Sequence, residues 1–390
     1  MGRRPEVVRA GQGSRRGSGG MGKETVLRTG RGMRIVSVFA AGGLVLAAAA
    51  CGEAPEKNNG GSSAADKYTA CMVTDTGGID DRSFNASAWK GIQDAAKENS
   101  NIDPKYVASS AEADYVPNLE GFTKQDCDFI LAVGGLMGDA TKQVAAANPN
   151  KQFGIVDAKV EPTNVYPMQF DTAQAAFLAG YLAAGYSKTG KVGTYGGMKI
   201  PPVTIFMDGF VDGVAHYNKV KGTNVQVLGW DKEAQNGSFT NDFVKQDEGR
   251  KVSDTLVAQG ADVIMPVAGG AGLGTAAAAL AAGGKYSVIW VDVDGCESAA
   301  QYCSVFLTTV VKNIAGAVKE AVLTGAEGGT LSSDPGYLGT LANDGVSIAP
   351  YHEFDSKIPA ELKAEVEQLK ADIIAGKIKV TSPAQPNQSN

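Results

Sequence analysis

From residue 66 onward, short apolar runs alternate with helical patterns, and that alternation admits few folds. Strands are expected at Lys67–Val73, Tyr106–Ser109, Phe129–Val133, Phe153–Val156, Val165–Phe170, Val192–Tyr195, Val225–Leu228, Val263–Val267 and Val288–Asp292. Helical patterns lie between them, among them Ala140–Ala147, Ala173–Tyr186, Asp242–Gln259 and Ala276–Ala282. A strand–helix–strand repeat builds parallel sheets with helices on both faces. The stretch is too long for one compact core, so an α/β protein of two doubly wound lobes with a cleft is expected. Alternation alone does not separate a binding protein from an enzyme.

The beginning of the chain has a different character. Residues 1–32 are basic and glycine-rich, and read as disordered or as sequence upstream of the true start. Met33 and Arg34 open a leader whose apolar run, Ile35–Ala50, ends in small residues before Cys51. Residues 33–50 thus read as a lipoprotein signal peptide with Cys51 as the lipidated residue. The run is short for a bilayer span. Residues 51–65 are polar and glycine-rich, a flexible tether. The expected location is the extracytoplasmic face of the cell membrane, held by lipid. The chain carries a net −6 and its first 34 residues +7, so the remainder carries −13. Such a body argues against a nucleic-acid partner.

Chemistry is expected in loops at the carboxyl ends of strands. The run Asp75-Thr-Gly-Gly-Ile-Asp-Asp-Arg-Ser-Phe-Asn85 follows the first strand, with Asp81 or Ser83 as helix cap. One alternative is a calcium-dependent nucleoside hydrolase using Asp75, Asp80 and Asp81. The paired first aspartates of such a site are missing, because Val73 and Thr74 precede Asp75. The longer string T-D-x-G-G-I-D-D-x-S-F-N-x-x-x-W-x-G closely resembles the basic membrane protein family. Those proteins are purine-nucleoside receptors that serve ABC importers. The resemblance continues in separated segments over about 68–325.

The resemblance implies a type I periplasmic-binding-protein-like body with discontinuous lobes. The first would span 66–189 plus about 310–333, and the second 190–309 plus about 334–380, before a loose tail at 381–390. It also implies a ligand set. Phe84 and Phe206 would stack on the base, and Phe210, four residues further on, would pack. Asp157, ending Phe-Gly-Ile-Val-Asp, would accept from the donor edge of a purine. Asp292, ending Val-Ile-Trp-Val-Asp, would hold the ribose diol and is favoured over Asp294. Trp290 departs from the family's usual glycine. Gly269, in Val267-Ala-Gly-Gly-Ala-Gly272, would let backbone approach the sugar; the Gly-Lys-Ser/Thr of a phosphate loop is absent. Lys312 would donate to ribose oxygens, and Asn85 would span base and sugar.

Five cysteines leave four once Cys51 is lipidated. Cys296 and Cys303 are close in sequence and expected to pair. Cys71 and Cys127 would pair if their strands are sheet neighbours. His216 and His352 are far apart, so no metal site is expected. No catalytic constellation and no cofactor motif is visible. The expected function is a monomeric, lipid-anchored receptor that delivers purine nucleosides (adenosine, guanosine or inosine) to an ABC permease. A sugar receptor of the same fold, a nucleoside hydrolase and an adhesin are the alternatives.

Overall fold

The computed structural model describes residues 67–386. The expected start (1–32), leader (33–50), lipidated Cys51 and tether (51–65) lie outside the described residues, as do the last four of the chain.

Five strands open the first sheet: β1 (Tyr68–Thr74), β2 (Ile102–Val107), β3 (Phe129–Val133), β4 (Gln152–Val156) and β5 (Val165–Phe170). The second sheet holds β6 (Lys191–Gly196) and β7 (Gln226–Leu228), then, past a small ribbon of β8 (Trp230–Asp231) and β9 (Asn236–Gly237), β10 (Val263–Val267), β11 (Ser287–Asp292) and β12 (Phe306–Lys312). The chain then returns to each sheet once. β13 (Tyr337–Gly339) joins the first, giving β13-β5-β4-β3-β1-β2, all parallel. β14 (Val346–Ile348) joins the second antiparallel to β12, giving β14-β12-β11-β10-β6-β7. Every residue of β3, β10 and β11 is buried. Parallel strands covered on both faces read as continuous apolar runs, which is why the sequence exposes them. β2 begins earlier than expected, at Ile102, because Pro104 is tolerated at a sheet edge.

The helices are α1 (Phe84–Glu98), α2 (Tyr115–Thr123), α3 (Gly138–Ala147), α4 (Thr172–Tyr186), α5 (Pro201–Lys221), α6 (Gln246–Ala258), α7 (Leu273–Ala281), α8 (Gly295–Ser298), α9 (Ile314–Ala326) and α10 (Ala360–Ile374). α4 is buried almost all round, packed on α5, β12 and β14, with α10 over it. α4 and α5 approach backbone to backbone. A Cβ at Gly180 would strike the Phe210 carbonyl oxygen, and one at Gly213 the Phe177 carbonyl oxygen.

Three crossings join the lobes, and the first falls elsewhere than expected. The first lies between β5 and α4, so α4 belongs to the second lobe rather than to a first lobe ending at 189. β12 stays in the second sheet through Lys312, close to the expected change at about 310. Then α9 packs on α1, and β13 extends the first lobe past 333 to Gly339. A helix carries no mark of the sheet it will cover; that depends on which neighbour has a matching face.

The tail is also not loose where it is described. Ser382 Oγ donates to Asp208 Oδ2 at 2.6 Å, and Gln385 Nε2 donates to Asp171 Oδ2 at 3.0 Å. A polar composition suggested mobility, but buried carboxylates on α5 and at the first crossing give those polar groups partners. Both disulfides form. Cys71–Cys127 joins β1 to the chain entering β3, its sheet neighbour, and Cys296–Cys303 closes a short loop.

The α4–α5 contact leaves no room for a methyl group. Gly213→Ala is expected to lower stability by roughly 1–3 kcal/mol, as overpacking does. Gly121→Ala, in α2 with nothing within 4 Å of its added Cβ, should instead raise it by up to about 1 kcal/mol. Thermal melts of the two variants check the contrast, and a neutral Gly213→Ala would contradict the packing.

Candidate functional site

The two sheets present their carboxyl ends to one cleft. The loop after β1 brings Asp75, Gly77, Asp81, Phe84 and Asn85 to it, and the ends of β3 and β4 bring Gly134, Gly135 and Asp157. From the second lobe come Ile200, Pro202, Val203 and Phe206 at the start of α5, Phe243, the 267–270 loop, Val291 and Asp292, and Lys312. They enclose about 540 Å³ of unfilled space, part of it open to solvent. All seven residues expected to hold ligand, drawn from separate stretches of sequence, therefore line one cavity. Phe210 does not; it is buried in the core. Asp294 does not either: it caps α8 through the Cys296 N–H and meets His352 Nε2 at 2.7 Å.

Asp157 and Asp292 occupy matching places in the two sheets. Asp157 directly follows β4 and Asp292 is the last residue of β11, each with a left-handed backbone, φ 66° and 68°. Aspartate tolerates this conformation better than most residues, and such strain gathers at ligand sites. Lys312 lies between them, only 3% exposed, with Nζ 2.6 Å from Asp157 Oδ2 and 3.9 Å from Asp292 Oδ1. The ammonium also lies 4.9 Å from the ring centre of Phe84 and 5.3 Å from that of Phe206, within cation–π range. The sequence reading set Asp157 and Lys312 at opposite ends of a ligand. Here they are an ion pair joining the lobes, because a buried ammonium needs a close counter-charge.

A second direct link crosses the cleft. Ser83 Oγ donates to Asp292 Oδ2 at 2.6 Å. Ser83 is the N-cap residue of α1 yet makes no capping bond with its side chain. Asp81 does the capping instead. Its Oδ1 accepts from the Ser83 and Ala86 N–H groups at 3.0 and 3.1 Å, and its Oδ2 from the Asn85 N–H at 2.7 Å.

The sequence offers Asp75 as a calcium ligand and Asp81 as either a calcium ligand or a helix cap; the structure makes Asp81 the cap. Asp75 and Asp81 are both buried at the cavity wall, but Asp80 is exposed and outside it. The three do not assemble into one cluster. Phe243, Pro202 and Val203 were not singled out. The signal for Gly134 and Gly135 was present: two glycines directly after an apolar strand, the same strand-end rule that flagged the others.

Four carboxylates around one lysine make an acidic, poorly solvated site. Burial pushes Asp81 up to about 7, against the pull of its backbone donors. Burial also raises Asp75, despite its bonds from Asn85 and Gly77. It raises Asp157 too, while Lys312 pulls that carboxyl back.

A family model for the ABC transporter substrate-binding proteins described as PnrA-like matches residues 68–383. The chain belongs to this family. A CD4+ T-cell-stimulating antigen of Listeria innocua is 33% identical over 362 residues, covering 88% of this chain and 96% of that protein. The ABC transporter nucleoside-binding protein BmpA of Lactococcus lactis is 32% identical, covering 80% and 89%. Among solved structures, an ABC-system solute-binding protein of Aeropyrum pernix superposes with a TM-score of 0.73 at 25% identity, covering 81% of this chain and 93% of that one. The fold is that of type I solute-binding proteins. As a PnrA-like protein the chain is an extracytoplasmic substrate-binding component of an ABC transporter and not an enzyme, which overrules the hydrolase alternative. Among the described residues, no helix is long and apolar enough to cross a membrane.

The buried acids give a pH dependence of definite sign. A carboxyl whose folded pKa lies above its unfolded value of about 3.9 binds a proton more tightly when folded. Its stabilising effect is therefore full in acid and is lost as pH rises from about 4 to about 7, the value reached by Asp81. The melting temperature of the native protein should fall more steeply across this interval than that of Asp81→Asn. Parallel slopes would mean that Asp81 does not titrate there.

Proposed function

We propose that this PnrA-like protein captures purine nucleosides between its lobes and delivers them to an ABC permease, held at the extracytoplasmic membrane face by lipid on Cys51. One observation carries the ligand assignment. Two aromatic rings, Phe84 and Phe206, one from each lobe, share a cavity with strand-end carboxylates and an amide. A flat, uncharged ligand with a polar edge and a diol matches that lining. The rings offer stacking faces, and the acids accept from ligand N–H and O–H groups. BmpA of Lactococcus lactis, named a nucleoside-binding protein, supports the same class.

In this reading Phe84 and Phe206 stack on the base, with Asp157 and Asn85 at its polar edge. Asp292, Lys312 and the Gly269 backbone hold the ribose. The ligand touches both lobes and so favours the closed state. Binding requires the Ser83–Asp292 and Lys312–Asp157 bonds to rearrange or to accept the ligand alongside them. A phosphate group would meet the acidic lining, so nucleotides are excluded. The protein works as a monomer, since one chain completes the site.

Calorimetry against a panel of nucleosides, free bases, nucleotides and sugars tests the assignment. Adenosine, guanosine or inosine should bind, adenine much more weakly, and the nucleotides not measurably. Asp292→Ala should cost roughly 2–4 kcal/mol, tens to several hundred-fold in affinity, because it leaves the diol without its acceptor. Tight binding of a sugar alone, or of adenine as well as adenosine, would overturn the reading.

The anchor has its own check. Cys51→Ala should release the protein from the membrane fraction of cells, and a variant that still sediments with membranes would place the anchor elsewhere.

A further inference from the structure

Asn85 is 1% exposed and lines the cavity. Its side-chain nitrogen donates to Asp75 Oδ1 at 2.8 Å and to Asp81 Oδ2 at 3.2 Å. An amide nitrogen carries two hydrogens, and both are engaged. The two oxygens that face it, Asp75 Oδ1 and Asp81 Oδ2, already serve as acceptors of the Gly77 and Asn85 backbone N–H groups, so turning the amide over would set its oxygen against two acceptor atoms. The neighbours therefore dictate which way Asn85 points.

Neither acid is free to turn away. Asp81 is tied by three backbone N–H groups of the first turn of α1. Asp75 Oδ1 also accepts from the Gly77 N–H at 2.9 Å. The opposite atom of the amide, Asn85 Oδ1, is buried and has no partner among the described residues. A buried acceptor without a partner is costly, and a cavity-lining one has its partner supplied by whatever enters.

We propose that Asp75 and Asp81 are positioning residues that set ligand choice through Asn85. They hold its amide so that only the carbonyl oxygen is offered to the cavity, and the ligand must bring a hydrogen-bond donor to that point. The pair thus acts on selectivity through the amide it orients, from the same cavity wall. A ligand presenting an acceptor there meets an oxygen that cannot be exchanged for N–H, because the exchange would break two bonds to fixed acids. The orientation rests on the protein's own geometry. Which donor meets it rests on the nucleoside reading above.

The test has two arms and three proteins: native, Asn85→Leu and Asp81→Asn. Asparagine is a good N-cap, so the last variant retains a cap for α1. It holds its oxygen toward the Ser83 and Ala86 N–H groups, gives up the bond from the Asn85 backbone N–H, and turns an NH2 group toward the Asn85 amide.

In the first arm, the Asn85 side-chain amide of the ligand-free, 15N-labelled protein is assigned by its loss in Asn85→Leu. Its hydrogens should exchange at least tenfold more slowly than those of exposed Asn224, and the protection should collapse in Asp81→Asn. An amide that exchanges like Asn224 in the native protein overturns the proposal, whatever binds.

In the second arm, calorimetry compares adenosine with purine riboside and with the 2′-, 3′- and 5′-deoxyadenosines, each lacking one donor. Deleting one donor should weaken binding tenfold or more in the native protein, but less than twofold in Asn85→Leu and Asp81→Asn. Equal penalties in all three proteins overturn the selectivity claim. A protected amide in a native protein that binds no nucleoside supports the positioning of Asn85 and rejects the nucleoside reading, so the two failures are distinct.

Discussion

The Lys312 ammonium is the contact on which the cleft depends. The cavity lining brings four carboxylates, Asp75, Asp81, Asp157 and Asp292, together with one lysine. Like charges in a poorly solvated space repel strongly, and an unpaired buried charge is costlier still. Lys312 lies against Asp157 and near Asp292, so it offsets charge contributed by both lobes. Ser83 adds a neutral donor to Asp292 from the first lobe. Across the cleft the lobes therefore meet through exchangeable polar bonds. That suits a hinge that must open, because such bonds can be exchanged for water or for a ligand.

Behind this exchangeable surface the scaffold is rigid. Asp81 fixes the first turn of α1, and Asp157 and Asp292 are set by the ends of buried parallel strands. In the second lobe, α4 and α5 pack through glycines so closely that their backbones touch. α5 carries Phe206 near its start, so that contact also places one of the two rings. The tail bonds to Asp208 on α5 and to Asp171 at the first crossing, tying the end of the chain to the place where the lobes join.

Much of this was legible because it rests on local rules. Asp157, Gly269 and Asp292 stand at or just after the ends of apolar strands, where an α/β sheet places its ligands. Phe84 and Asn85 stand in the first helical turn after such a strand. Lys312 was legible only through resemblance, since a lone lysine carries no local mark. The bond network of Asn85 was not legible, although its three members lie within eleven residues. Asp75 and Asp81 read equally well as metal ligands until the turn brings both onto one amide. Phe243 was not legible because the helical pattern expected from Asp242 begins only at Gln246, which leaves Phe243 in the loop that reaches the cavity.

The sequence by itself determined the kind of fold, the strand ends at which chemistry is expected and the short Cys296–Cys303 pairing. Each of these depends on residue spacing, whereas Cys71–Cys127 had to wait for the sheet to set β1 beside β3. Only the tertiary structure decided which lobe owns α4, that Phe206 rather than Phe210 and Asp292 rather than Asp294 reach the cavity, and that Lys312 pairs with Asp157. Those outcomes depend on contacts between residues as far apart as 157 and 312. Sequence distance says nothing of such a meeting until the sheets close around it.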